Sequence, residues 1–281
     1  MALWSSVALA LNVQAAPTVV ASIKPLQLVA AAITDGVTTP VLVMNAGQDP
    51  HHASLRPSER RSLQQAALVL WVGPILEQPL TDVIAELKVP VLTAQQLPDI
   101  TLLDSEGVTD PHLWLDSRNA RHVANALMQQ LQQLDPEHAA QYQDNFRRFS
   151  AQLDQTDIAI ANKLQPLKAQ QWAVSHHAFR YFAAQFALQE PIALTDSSNE
   201  TPGVRSTMAL REAIANDKVQ CLLTEPTENQ LELDSLLDGK TINIVAADVL
   251  GVSLPVSATA YGELLTQLGT AMTQCFGDSN E

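Results

Sequence analysis

Five of the seven histidines fall at three places in the chain: the pair His51 and His52, the single His112, and the pair His176 and His177. Each place follows a run that reads as a strand or opens a loop. Imidazole is the commonest side-chain metal ligand. Three imidazoles with one carboxylate or a water make the four-coordinate set that zinc prefers. A carboxylate stands at a matching place late in the chain, where Asp248 ends a strand-like run in Ala246-Ala247-Asp248-Val249-Leu250-Gly251. His122 and His138 lie on helical stretches among polar neighbours and read as solvated side chains. A single histidine is more often structural or exposed than a ligand, and these spacings alone are too long for a metal signature.

Such residues need a scaffold that brings distant segments together. Residues 18–23, 40–44, 68–73 and 90–93 read as short, buried strands rich in Val, Leu and Ile. A helical stretch follows Pro25, another opens at Pro57-Ser58-Glu59, and Gly73-Pro74 stops the third strand. Strands separated by helix-length segments predict parallel βαβ units with helices on both faces. In open sheets of this kind, ligands bind beyond the carboxyl ends of the strands. His51 comes after the second strand, His112 after the fourth, and His176 at the end of the first strand of a second series.

Between the two series the pattern changes. From about residue 137 to 164 there is neither Gly nor Pro, and Pro166 ends the run. Tyr142, Phe146, Phe149, Leu153, Thr156, Ile160 and Leu164 recur every three or four residues. That is one apolar stripe on a helix of about 40 Å, suited to lying across two lobes, with a coiled-coil arm as the competing reading. The β/α alternation then restarts, with strands at 172–175, 192–194, 221–224 and 242–245 and a last helix over about 258–275. The expected fold is α/β, with two lobes, each a parallel sheet flanked by helices, and one long helix between them. The expected limits are residues 17–116 for the first lobe, 117–168 for the connecting segment and 169–281 for the second lobe.

Bulk properties narrow the function. A chain of 281 residues with 46% hydrophobic content can bury the cores of two medium domains. The formal net charge is −14, without a basic cluster, which argues against nucleic-acid binding and against an anionic membrane surface. Residues 1–16 carry no charge and end in Val13-Gln14-Ala15-Ala16, small residues where a signal peptidase cuts. They read as a signal peptide for export, and the missing basic n-region is what a signal truncated at its start would show. An apolar first helix of the folded chain is the alternative. The stretch is shorter than the roughly 20 residues that span a bilayer. Cys221 and Cys275 allow one intramolecular pairing, which an oxidising compartment favours over two buried free thiols.

Longer strings carry more information. Asp49-Pro50-His51 is followed by Leu55-Arg56-Pro57-Ser58-Glu59, Trp71-Val72-Gly73-Pro74 and Asp110-Pro111-His112-Leu113-Trp114-Leu115-Asp116. Ser175-His176-His177-Ala178-Phe179-Arg180-Tyr181-Phe182, Thr224-Glu225-Pro226 and Asp248-Val249-Leu250-Gly251 continue the series. In this order they resemble the metal-binding solute-binding proteins of bacterial ABC importers, and among them the high-affinity zinc-uptake (ZnuA-type) branch. The resemblance covers essentially all of the chain after residue 16. It implies two α/β lobes joined by a rigid helix, with the metal between them. It also implies His51, His112 and His176 as metal ligands, Asp248 as a candidate fourth, and a Cys221–Cys275 disulfide. The implied role is a monomeric periplasmic protein that hands zinc to the membrane permease of an ABC importer, without being an enzyme.

Three departures stand out. Residues 98–109, ahead of the second ligand, are few and contain no histidine, so a zinc-collecting loop is absent. Pro50 occupies a place where some relatives carry a glutamate, which gives weight to Asp248 or water. His52 and His177 adjoin two of the implied ligands and leave the register open by one residue. A manganese or iron carrier of the same family is the first alternative, although a carboxylate is the expected third ligand there and this chain has His176. A secreted zinc hydrolase is a second, but Glu225 is the only suggestive base and there is no HExxH helix. Each ligating imidazole needs an acceptor for its other N–H, and Glu225 is a candidate by position. Affinity is expected to fall as pH drops through about 6.5.

Overall fold

Val19–Ala21 (β1) and Leu68–Trp71 (β3) are buried at every residue, with no alternation of apolar and polar side chains. That is the signature of strands covered on both faces. They are the centre of a four-stranded parallel sheet in the order β2-β1-β3-β4, completed by Val41–Leu42 (β2) and Val91–Thr93 (β4). Val20 pairs with Val41 on one side and Val69 on the other, so β-branched residues meet across the sheet. This computed structural model describes residues 16–105, 107–195, 203–226, 236–237 and 239–277. The expected signal segment therefore lies, but for Ala16, outside the described residues.

Helices cover this sheet. Lys24–Thr34 (α1) has Pro25 in its first turn and is buried along its length. Pro57–Gln65 (α2) starts with Pro57 at the predicted place, and the Glu59 carboxylate accepts the Arg56 amide at 2.6 Å as a capping box. Thr81–Ala85 (α3) is a short turn of helix. An antiparallel hairpin, Asp104–Ser105 (β5) with Val108–Thr109 (β6), follows β4. His112 therefore comes after this hairpin and not directly after the fourth strand as expected. Strands of two residues are too short to show any periodicity in sequence.

Ser117–Leu134 (α4) is capped by Asp116, which accepts the Arg118 amide at 2.8 Å. Ala139–Leu164 (α5) is the predicted long helix, 26 residues. Tyr142, Phe149, Leu153, Ile160 and Leu164 are buried along it, with Phe146 and Thr156 half-buried at the edge of the stripe. Asn145 interrupts the stripe for a reason: its amide donates to the carbonyls of Ile33 at 2.7 Å and Asp35 at 2.9 Å, which α1 leaves orphaned at its end.

The second sheet is also parallel and four-stranded. Ala173–His176 (β7), Ile192–Thr195 (β8), Cys221–Thr224 (β9) and Asn243–Ala246 (β10) lie in the order β10-β9-β7-β8. Arg180–Phe186 (α6), Val204–Ala215 (α7) and Ala260–Cys275 (α8) pack around it. α8 also lies against α5 and α1. Gly269 makes the first approach close: a Cβ there would sit 3.4 Å from Ile160 Cγ2. Cys221 and Cys275 form the disulfide, tying the start of β9 to the end of α8 across 54 residues of chain. A closed loop of that length is worth about 4 kcal/mol in the chain-entropy account. Apolar residues of both sheets, from Val19 to Cys275, belong to one continuous buried cluster.

Glu77, Asp110 and Asp116 are buried acids of the first lobe. Glu77 is fully enclosed, accepts the Ser22 hydroxyl, and accepts the Gly73 amide at 2.9 Å. Burial raises its carboxyl from 4.5 to about 7, against the opposing hydrogen bonds from Ser22 and Gly73. Between those two values the folded protein keeps a proton that the unfolded chain has lost. Glu77 therefore favours folding at acidic pH, and that contribution, roughly 3 kcal/mol, disappears as pH rises through about 7. In urea titrations of metal-free protein at pH 5 and pH 8, Glu77→Ala is expected to lower stability at both and to shrink the difference between them. An unchanged difference would mean that Glu77 is ionised throughout.

Candidate metal centre

The tripeptide Asp-Pro-His occurs twice, and both copies fold alike. In Asp49-Pro50-His51 the Asp49 carboxylate accepts the His51 amide at 2.9 Å. In Asp110-Pro111-His112 the Asp110 carboxylate accepts the His112 amide at 2.9 Å. An aspartate that binds the amide two residues on makes a tight Asx turn, and the proline between them fixes φ. The two turns thus present their histidines in the same local frame. His176 is presented differently, as the last residue of β7, at the carboxyl end of the second sheet.

The three rings converge. His112 Nε2 lies 3.0 Å from His176 Nε2 and 3.4 Å from His51 Nε2. Their ligand atoms all lie within 4.8 Å of one another, in a grouping that could hold a metal ion. Nitrogens bound at about 2.05 Å around a tetrahedral zinc stand about 3.3 Å apart, so the spacing suits that ion. The outer nitrogens are occupied. His112 Nδ1 lies 2.9 Å from Asp110 Oδ1, and His176 Nδ1 lies 3.4 Å from Thr195 Oγ1 at the end of β8. Asp110 accepts only if His112 carries its proton on Nδ1, which turns the Nε2 lone pair towards the cluster.

Electrostatics keep two of these rings basic sites in name only. Burial holds His112 well below the ordinary 6.5, with the charges of His51 and His177 adding to it. Burial likewise lowers His176 to about 2, helped by His112 and His51. Both are neutral at pH 7 and need lose no proton to coordinate. Competition by protons at these two ligands therefore sets in well below the expected 6.5.

The neighbours of the implied ligands point elsewhere. His52 is exposed and pairs with Asp49 at 2.8 Å. His177 Nε2 lies 3.6 Å from Glu190. His138 pairs with Asp135 at 2.7 Å on the far side of the helix junction. Asp248 lines the same cavity as the three rings but is not in their group. Its two oxygens accept the amides of Leu250 at 3.0 Å, Gly251 at 2.8 Å and Val252 at 2.6 Å, so the carboxylate shapes its own loop. Glu225, the residue after β9, also lines the cavity, while the acceptor for His112 is Asp110.

Several supporting residues were not singled out from sequence. Asp110 is completely buried, with Oδ2 4.0 Å from the Arg180 guanidinium. Tyr181 from the second lobe donates to the Asp110 carbonyl at 2.8 Å and accepts the Leu103 amide at 3.0 Å. The buried Trp114 ring stands 5.1 Å from His112 and donates to the Val249 carbonyl at 2.9 Å. Tyr261 on α8 donates to the Trp114 carbonyl at 2.5 Å. One short segment, residues 110–116, therefore orients a histidine, bolts the lobes together and caps α4.

Comparison with known proteins gives the family. The family described as zinc-uptake complex component A, periplasmic, matches residues 19–275. The high-affinity zinc uptake system protein ZnuA of Yersinia pestis is 30% identical over 93% of this chain and 92% of its own length. That of Haemophilus ducreyi is 30% identical over 92% of each. Among solved structures, the laminin-binding protein Lbp of Streptococcus pyogenes superposes with a TM-score of 0.79 at 20% identity, over 93% of this chain and 99% of that one. A manganese-bound periplasmic metal-binding protein from Candidatus Liberibacter asiaticus gives 0.77 at 18% identity, over 92% and 98%. At those identities the structural likeness establishes the two-lobed fold, and with the matched residues spanning both sheets and the helix between them, the chain belongs to the family of periplasmic zinc-uptake components, which are transport proteins rather than enzymes.

Proposed function

We propose that this protein captures a zinc ion between its lobes in the periplasm and delivers it, as a monomer, to the membrane permease of an ABC importer. The observation that carries the reading is the meeting of the His51, His112 and His176 Nε2 atoms, two from the first lobe and one from the second. Zinc is cargo here, held by coordination and released unchanged. An all-nitrogen set favours zinc over manganese, which prefers oxygen donors. Asp248 holds the loop at 248–252 beside the site, and its carboxylate or solvent completes the coordination.

Chelator-competition titration of the metal-stripped protein tests this. One tight zinc site per chain, with manganese bound much more weakly, is the expected result. A preference for manganese, or no tight site, would overturn the reading. The same titration gives the weight of the outer partner. Asp110→Asn keeps a side-chain acceptor but loses the charge that orients and polarises His112. Zinc affinity is expected to fall about 10- to 100-fold, the usual cost of losing such a partner. An unaltered affinity would reduce Asp110 to a backbone turn.

A further inference from the structure

The two oxygens of the carboxylate beside His112 have unlike surroundings. Asp110 Oδ1 serves His112 twice, through the backbone amide and through Nδ1, both at 2.9 Å. Asp110 Oδ2 is buried and accepts no hydrogen bond. A charge from the second lobe faces it: Arg180, the first residue of α6, brings Nη1 to 4.0 Å. The guanidinium is fixed from two further sides. Its Nε donates to Glu190 Oε1 at 3.0 Å, and its Nη2 donates to the Asp104 carbonyl of the β5–β6 hairpin at 3.3 Å. The Arg180 side chain is 14% exposed, so salt screens its charge little. A planar fork can face three acceptors in three directions, whereas an ammonium on a flexible stem is a point charge.

We propose that Arg180 is a positioning residue of the metal centre, acting from the second lobe through Asp110 to hold His112 in its ligating orientation. This rests on the reading that the three histidines hold zinc. A carboxylate with one oxygen unanchored can turn about its terminal torsion, which is broad and roughly two-fold, and carry Oδ1 away from the ring. The opposite charge beside Oδ2 resists that turn. The series Glu190, Arg180, Asp110 and His112 thus runs from an exposed carboxylate of the second lobe to a ligand of the first. Separation of the lobes would withdraw the guanidinium from Asp110 and loosen His112 with it. The grip on the metal and the contact between the lobes therefore rise and fall together.

A double-mutant cycle in zinc affinity is the test, run on the full chain by chelator competition. Arg180→Met keeps the length without the charge and is expected to weaken zinc binding about tenfold, the lower end of what an outer partner contributes. Arg180→Lys keeps the charge without the fork and is expected to lose no more than about threefold. In an Asp110→Asn background, Arg180→Met is expected to change affinity by less than about twofold, because the group it acts through is gone. A merely structural role would cost the same factor in both backgrounds. That result would overturn the inference, as would a loss under about twofold from Arg180→Met alone, or a lysine no better than methionine. Each would leave zinc capture by the unaltered protein intact. If circular dichroism shows Arg180→Met unfolded, Arg180→Gln takes its place in the same cycle. Unaltered protein that binds no zinc would instead remove the reading on which the inference rests.

Discussion

Replacing His112 by alanine is expected to lower zinc affinity by about a thousand-fold, more than the same change at His51. His112 is the centre of the trio, since its Nε2 is the one near both of the others, at 3.0 and 3.4 Å. It is also the most firmly held, buried and anchored through both its amide and its Nδ1 to Asp110. A four-ligand zinc site is worth about 10–16 kcal/mol, so one ligand accounts for roughly 3–4 kcal/mol. At 1.4 kcal/mol per tenfold this is about two to three decades in affinity. His51 is only half-buried and has room to be replaced by solvent. The measurement is zinc competition against a chelator of known affinity, with circular dichroism to confirm the fold. A loss within threefold would place the metal elsewhere and leave the three converging rings without a ligand role.

Trp114→Ala is expected to cost about 4 kcal/mol of stability, the upper part of the range for a buried large-to-small change. The indole is 1% exposed and reaches the Val249 carbonyl of the second lobe. Its removal leaves a void, takes the donor from the Val249 carbonyl, and withdraws the ring that packs beside His112. Trp114→Phe keeps most of the volume and loses the hydrogen bond, so it is expected to recover more than half of the loss. Urea unfolding of metal-free protein at constant slope gives both values. If alanine costs less than 1 kcal/mol, the lobes are held together by other contacts. Zinc binding by the alanine variant is expected to weaken too, because Val249 belongs to the loop facing the histidines.

The strands and the long helix were legible because they obey local rules. Continuous apolar runs mark strands buried on both faces, and a stripe recurring every three or four residues marks α5. In the first sheet the limits expected from sequence run a residue or two past the paired ones, since pairing stops where the partner strand stops, and in the second they agree to within one residue. The hairpin of β5 and β6 was invisible because two residues carry no period. The three histidines converge, although only His176 stands at a strand end and His112 follows the hairpin. Their supports could not be read in the same way. Nothing local marks Arg180 and Tyr181 as neighbours of Asp110, because those contacts join segments about 70 residues apart. One signal was present: the repeated Asp-Pro-His tripeptide, whose turn chemistry is local and whose second copy sits at the second ligand. Asp248 is less legible: its position at a strand end suggests coordination, and sequence does not reveal that its oxygens also accept three backbone amides.

The large buried cluster that runs through both sheets bears on how the molecule comes apart, beside a smaller one under α7 in the second lobe. α1, near the start of the chain, rests against α8, near its end, and α5 touches both. Neither half can therefore shed its partner and keep a closed interior. Binding proteins with two separate cores and a loose hinge can melt one half at a time. Here the shared cluster joins the halves, so one main unfolding transition is expected, and an isolated half would expose the surface that the other covers. A chain threaded through a membrane from its beginning would also have to wait for its last helix before its first could be sealed from water.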